Sequence, residues 1–247
     1  MNRPLLIFVL SLLALWFCAK IGDLLRRRLR PIEENDRHDL GVVLGASLTL
    51  LSLIIGFSFS MAISRYDQRK NYEEAEANAI GTEYVRSELL PATDAARVRG
   101  LLKKYLDQRV LYYTTRDDHQ LAEIDTETAQ LENELWSAVR SPAAANSTPV
   151  VALAVSGMND VLNSEGYTQA AWWNRIPVEA WMLMMLIALG CTLLTGYSAR
   201  RTWTLLFLVL PLAVSISFFL IADIDSPRGG VIRVLPQNLV RLSQSLQ

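Results

Sequence analysis

Residues 54–81 read IIGFSFSMAISRYDQRKNYEEAEANAIG. The first eleven of these positions, Ile54 to Ser64, carry no charge, and from Arg65 onward a charged side chain recurs at almost every second position. No proline or turn cluster separates the halves. Glycine alone weakens a helix without ending it, so the apolar half and the charged half read as one helix. Extended to its natural limits, the proline-free stretch is Leu40 to Leu90, 51 residues. As a continuous helix it would be roughly 75 Å long at 1.5 Å per residue, with about half crossing a bilayer and half standing in water.

The rest of the chain supports a membrane reading. It has 247 residues, 51% of them hydrophobic, and a formal net charge of −1. Charged residues are missing from four long blocks: Pro4 to Ala19, Leu40 to Ser64, Ala180 to Ala199 and Thr202 to Ala222. A helix needs about 20 apolar residues to cross a hydrocarbon core of roughly 30 Å. The first block reaches that length by running through Ile21 and Gly22. It does not read as a cleaved leader, because Phe17 in the WFCAK ending stands where cleavage needs a small residue. The expected fold is an all-α integral membrane protein with four transmembrane helices. A hairpin occupies 1–64 (spans 4–22 and 40–64), a helical extramembrane domain 65–175, a second hairpin 176–222 (spans 177–199 and 202–222), and a tail 223–247.

Within 65–175 the punctuation is sparse, at Pro91, Pro142 and Pro149. Apolar residues at three- and four-residue spacing predict helices over Thr93–Tyr113 and Asp118–Val139, and a shorter one over Val150–Leu162. Small residues at Ala75, Ala77, Ala79 and Gly81 suit close helix packing. Tyr66 and Tyr72 fall where interfacial aromatic rings are favoured. This segment holds 12 basic and 17 acidic residues, a net charge of −5.

Orientation rests on Lys and Arg near the spans. The loop containing RRRLR has six basic residues, and the YSARR loop adds Arg200 and Arg201. Both short loops lie on one face, which the positive-inside rule assigns to the cytoplasm. Both termini and the middle domain then stand on the non-cytoplasmic side.

Span two carries a second pattern. Gly41, Gly45, Thr49, Ser52, Gly56 and Ser60 recur at steps of four, four, three, four and four, which places all six on one helix face. Small residues let backbones approach, as in the Gly-xxx-Gly association pattern, so one reading is a packing stripe. The other is a narrow polar conduit lined by several copies of this face, since a pore can select ions through its diameter and lining dipoles.

Other chemistry finds little support. Histidine occurs only at His38 and His119, and no phosphate loop, GxSxG or HExxH motif is present. Asp117, Asp118 and His119 with Glu123 and Asp125 read more simply as a charged helix start than as a metal site, since acids favour helix N-termini. Cys18 and Cys191 lie inside spans and read as packing thiols. No catalytic residue, metal, cofactor or nucleic-acid partner is expected.

The run GFSFSMAISRYDQRKNYEEAEANAIGTEYVRSELLP, residues 56–91, resembles the signature of the bacterial bestrophin-like proteins, a family of unassigned function. The tail ADIDSPRGGVIRV, residues 222–234, is similar to the Asp-x-Asp-x-Pro-x-x-Gly element that follows the last span in that family. The positions carrying the likeness are Gly56, Phe57, Arg65, Tyr66, Asp67, Arg69, Glu74 and Ala75, then Asp223, Asp225, Pro227 and Gly230. A looser likeness extends to the bestrophin ion channels. It implies a helical domain between spans two and three, and a homo-oligomer, pentameric in those channels, with span two lining an ion path through the lipid bilayer. The chain departs from the channels in its longer Gly56–Tyr66 spacing and in lacking their paired Asn and Trp. Of their acidic calcium cluster it keeps only Asp223 and Asp225. The channels also hold the helical domain in the cytoplasm, opposite to the charge count here. A non-conducting scaffold or sensor whose helical domain binds a partner is the alternative function.

Overall fold

The computed structural model describes residues 3–28, 34–199 and 206–246, and among these every regular element is helical. In chain order they are α1 (Pro4–Arg28), α2 (Glu34–Arg86), a short 3-10 turn (Ser87–Leu89), α3 (Ala92–Thr114), α4 (Asp118–Ala145), α5 (Pro149–Trp173), α6 (Val178–Ser198), α7 (Leu206–Asp225) and α8 (Gln237–Ser245). Four helical stretches among the described residues are long and apolar enough to cross a membrane. The expected continuous helix over 40–90 is present as α2, which runs for 53 residues and tightens into the 3-10 turn just before Pro91. Arg30 of the RRRLR loop, Arg200, Arg201 and the first residues expected in span four lie outside the described residues.

The chain divides into two compact units. The first comprises Met1–Arg65 with Arg175–Arg233. Here α1 packs against α6 and α7. Its tightest crossing uses glycines that the sequence pattern did not single out. A Cβ on Gly22 would collide with the Leu193 carbonyl, and one on Gly196 would collide with the Ala19 carbonyl. The α1–α6 pair therefore approaches backbone to backbone, which only small residues permit. Cys18 reinforces the crossing by donating from Sγ to the Leu189 carbonyl at 3.3 Å. Phe8 of α1 meets Phe219 of α7 edge-on at 6.1 Å, and Trp181 of α6 meets Phe218 at 5.9 Å. α1 runs beyond the expected end at Gly22, because Asp23 is buried and pairs with Arg26 and Arg27 at 2.8 Å each, extending the helix into charged sequence.

The second unit comprises Tyr66–Asn174 with Val234–Gln247. Its core joins Ile80 of α2 to Val98, Leu102, Tyr105 and Leu106 of α3, Leu135 and Val139 of α4, Ala154, Met158 and Val161 of α5, and Leu239 of α8. α3 fits the expected limits to within a residue at each end. α4 begins at a cap in which the Asp117 carboxylate accepts from the backbone N–H groups of His119 and Gln120, at 3.0 and 2.9 Å. Its far end passes the expected stop at Val139, because Pro142 sits in the last turn, where it forfeits a single backbone bond while its ring is buried. α5 opens with Thr148 capping Val151 N–H at 3.2 Å and Pro149 in the first turn. It runs on to Trp173 rather than stopping at Leu162, because its buried ridge continues through Ser164 and Thr168, polar residues that an apolar-periodicity reading does not register.

α8 lies in the tail and was not expected. Its first turn is held by Glu73 of α2, whose Oε1 accepts from the backbone N–H groups of Asn238 and Leu239 at 2.8 and 3.0 Å. The second oxygen accepts from the Asn238 side-chain amide at 2.7 Å. A carboxylate at a helix N-terminus satisfies otherwise orphaned donors and complements the helix dipole.

Gly196→Ala should separate α1 from α6 and lower the stability of the purified protein by about 1–3 kcal/mol, the usual cost of overpacking. Gly41→Ala, at a position where a Cβ would meet nothing within 4 Å, should leave the protomer fold unchanged. Thermal unfolding of both variants in the same detergent compares them.

Candidate functional site

α2 presents two distinct faces. Its buried side chains are Leu51, Ser58, Ala62, Arg69, Glu73, Glu76, Ala77, Ile80, Glu83 and Ser87 of the adjoining turn. Nearly all recur at steps of three, four or seven, so they form one ridge that changes from apolar to ionisable without changing direction.

The six stripe residues lie off this ridge. Gly41, Gly45, Thr49, Ser52, Gly56 and Ser60 are all exposed. A Cβ on Gly41, Gly45 or Gly56 would meet nothing within 4 Å. Among the described residues, nothing therefore approaches the backbone of these three glycines. Thr49 and Ser52 return their hydroxyl protons to their own helix, at the Gly45 and Leu48 carbonyls (2.9 and 2.8 Å), which leaves hydroxyl lone pairs facing outward. One edge of the stripe borders an apolar groove of about 470 Å³ between α2 and α7, whose lining includes Ser52, Gly56, Phe59, Ala213 and Ser217.

The residues that carry the family likeness separate into two groups. Gly56, Phe57, Asp67, Glu74 and Ala75 are exposed. The others anchor the structure. Arg65 approaches Asp225 at 3.6 Å, and the Asp225 carboxylate accepts from the Ile176 N–H with both oxygens at 3.2 Å, fixing the start of α6 to the end of α7. Asp223 accepts from Val231 N–H and Ile232 N–H at 2.8 Å each, folding the chain back after α7. Gly230 lies against the Asp223 carbonyl so closely that a Cβ would collide with it, and Pro227 is buried in the same turn. Tyr66 packs partly buried on the core of the second unit, and Arg69 is buried. Both tail carboxylates are thus engaged by backbone donors.

The second unit also holds a buried ionic network that sequence reading missed. Arg109 of α3, fully buried, donates from Nε to Glu76 Oε1 and lies 3.6 Å from Glu165 Oε1 through Nη1. The other Glu76 oxygen accepts from Thr168 Oγ1 at 3.0 Å and Tyr113 OH at 3.3 Å. The Arg109 guanidinium also stacks over Tyr112 at 4.5 Å. Burial, with Glu165 nearby, pushes the Glu132 carboxyl up to about 7. The spacing of Glu73, Glu76, Ile80 and Glu83 on the inward ridge of α2 was the available signal, but it is indistinguishable from solvated helix charge until the partners are known.

Among the described residues no group of three or more His, Cys, Asp and Glu side chains is placed to hold a metal ion. Asp117 acts as a helix cap, and His119 and Glu123 pair at 3.3 Å in a largely exposed position. Glu179 lies exposed in the first turn of α6.

A profile of the Bestrophin-like domain matches residues 11–239. Among solved structures, a variant of a bacterial Bestrophin homolog from Klebsiella pneumoniae superposes with a TM-score of 0.69 at 14% identity, covering 97% of this chain and 95% of that one. A second variant gives 0.68 at 14% identity, with 97% of both chains covered. A further structure of the Klebsiella homolog gives 0.63 at 15% identity, covering 98% of this chain and 95% of that one. No match was found among curated proteins.

Removing one partner of a buried ion pair strands the other, at a cost of about 3–5 kcal/mol. Arg109→Ala should accordingly unfold or strongly destabilise the helical unit, and the double variant with Glu76→Gln should recover part of the loss. Thermal melts of the single and double variants make the comparison.

Proposed function

The chain belongs to the Bestrophin-like family, and from that premise we propose that it assembles as a homo-oligomer around an ion-conducting path lined by the exposed face of α2. The observation that carries this reading is the stripe: six small residues on one face of an apolar helix, all exposed, with nothing among the described residues close to its three glycines. A packing stripe internal to the protomer would be covered, as Gly22 and Gly196 are. An uncovered face needs another copy, water, or both. The likeness to the bestrophin channels supports a five-fold arrangement with inorganic ions as the cargo, and the apolar exposed side chains elsewhere on the spans suit the lipid bilayer.

The charges favour cations. The stripe offers hydroxyls and helix-backbone dipoles without Lys or Arg. Beyond Ser60, two steps of seven along the same helix reach Asp67 and Glu74, both exposed; of the two basic residues between them, Arg69 is buried and Lys70 is exposed. Several copies of a −5 segment around one axis would concentrate cations electrostatically. The positive-inside pattern supports placing the RRRLR loop in the cytoplasm of a bacterial cell and the 65–175 domain on the opposite side of the inner membrane.

Two measurements test this reading. In planar bilayers under a salt gradient, the purified protein should give a cation-selective reversal potential that weakens as salt shortens the screening length. Gly45→Leu or Gly56→Leu should loosen the oligomer and abolish current, whereas Ile54→Leu should be neutral. A chloride-selective reversal would overturn the charge argument, and absence of current from an intact oligomer would support the scaffold alternative. For orientation, a reporter fused near Ala122 should read as non-cytoplasmic and one near Arg28 as cytoplasmic; the reverse pair of signals refutes the charge-based topology.

A further inference from the structure

Glu83 occupies the last turn of α2 and is fully buried, yet neither carboxylate oxygen accepts a hydrogen bond. It lies directly on the backbone of α5 at Gly157. A Cβ on that glycine would collide with Glu83 Oε2 and would come within 2.8 Å of Arg86 Nη1. The charged surroundings do little to hold an anion there. Arg86, on the same helix, is partly exposed and directed toward Asp160 of α5, 4.0 Å away. On the adjoining 3-10 turn and α3, Glu88 and Arg99 pair with each other, and Arg99 and Lys103 lie over the Tyr84 ring, so none of these donates to Glu83. Two carboxylates thus share one partly exposed guanidinium, which lies beside Gly157 but makes no hydrogen bond to Glu83, so the buried carboxylate has no donor.

An ionised carboxylate in this position would carry a heavy desolvation cost, which holding a proton avoids. We propose that Glu83 is a protonation site that acts as a latch between α2 and α5: neutral, its carboxyl lies flush on Gly157 and keeps the helices in contact; ionised, it moves off Gly157 toward Arg86 and water, and the contact loosens. The proton leaves to solvent, and no other group is altered. Burial is the main cause that raises its titration to about 8; Arg86 opposes the rise and Asp160 adds to it. Because this lies above the unfolded value of 4.5, folding takes up a proton in the interval between the two. Stability therefore falls as pH rises from about 4.5 to about 8 and levels off above that. The latch is independent of whether α2 lines a pore.

The test uses the full-length purified protein. Infrared difference spectra recorded between about pH 6 and pH 10 should lose a protonated-carboxyl component with a midpoint near 8, beside the one near 7 from Glu132, and only the component near 8 should be absent from Glu83→Gln. Gly157→Ala places a methyl group where Oε2 sits, and should lower the midpoint by more than about one unit by forcing the carboxyl toward water. Spin labels at the exposed positions 85 and 153, introduced with Cys18 and Cys191 replaced by serine, report the α2–α5 separation. This distance should increase over the same pH interval in the parent protein and stay constant in Glu83→Gln. Absence of the component near 8 from the parent protein, or its persistence in Glu83→Gln, refutes the site. A titrating band with an unchanged distance refutes the latch.

Discussion

Helical phase along α2 governs the rest of the structure. One ridge faces inward from Leu51 to Ser87, while the sequence on that ridge turns from Leu and Ala to Arg and Glu. Within the second unit, turning α2 about its axis would take Glu73, Glu76 and Glu83 out of their sites and leave Arg109 buried without Glu76, at several kcal/mol for an uncompensated buried charge. Within the first unit, the small-residue stripe of the same helix is exposed.

The acids on the ridge are satisfied in different ways, and the differences explain their roles. Glu73 accepts backbone and amide donors at the start of α8 and so ties the tail to the charged unit. Glu76 is saturated by Arg109, Thr168 and Tyr113, and gathers α3 and α5 around α2. Glu83 has no donor at all. The tail motif follows the same logic: Asp223 and Asp225 both capture backbone N–H groups, and Gly230 is needed where the returning chain touches the Asp223 carbonyl. Of the residues that carry the family likeness, Arg65, Asp223, Asp225 and Gly230 are the ones gathered around buried carboxylates.

This arrangement also modifies the electrostatics of the 65–175 segment. The formal charge of −5 over 65–175 counts every carboxylate as ionised. Glu83 and Glu132 titrate near neutrality because they are buried, so the field of this segment depends on pH in the physiological range. The exposed carboxylates Asp67 and Glu74 continue the spacing of the stripe. Burial therefore separates the acids of α2 that hold the fold from those that face outward.

The spans, the unbroken helix from membrane to charged sequence, and the stripe were legible in the sequence alone, because charge exclusion and helical periodicity are local properties. The Asp117 cap was legible for the same reason. The limits of α4 and α5 were not, since a proline in a last turn and polar residues on a buried ridge take their meaning from what packs against them. Helix α8 is a further case: its nine residues are too few for a stable helix in isolation, and it forms where a carboxylate 165 residues away accepts its first N–H groups. Only the tertiary structure decided that Gly22 and Gly196 are closed contacts while Gly41, Gly45 and Gly56 are open. The sequence spacing of a small residue states that a backbone can be approached; whether anything approaches it depends on which helix the fold brings against that face, as α6 is brought against Gly22 of α1.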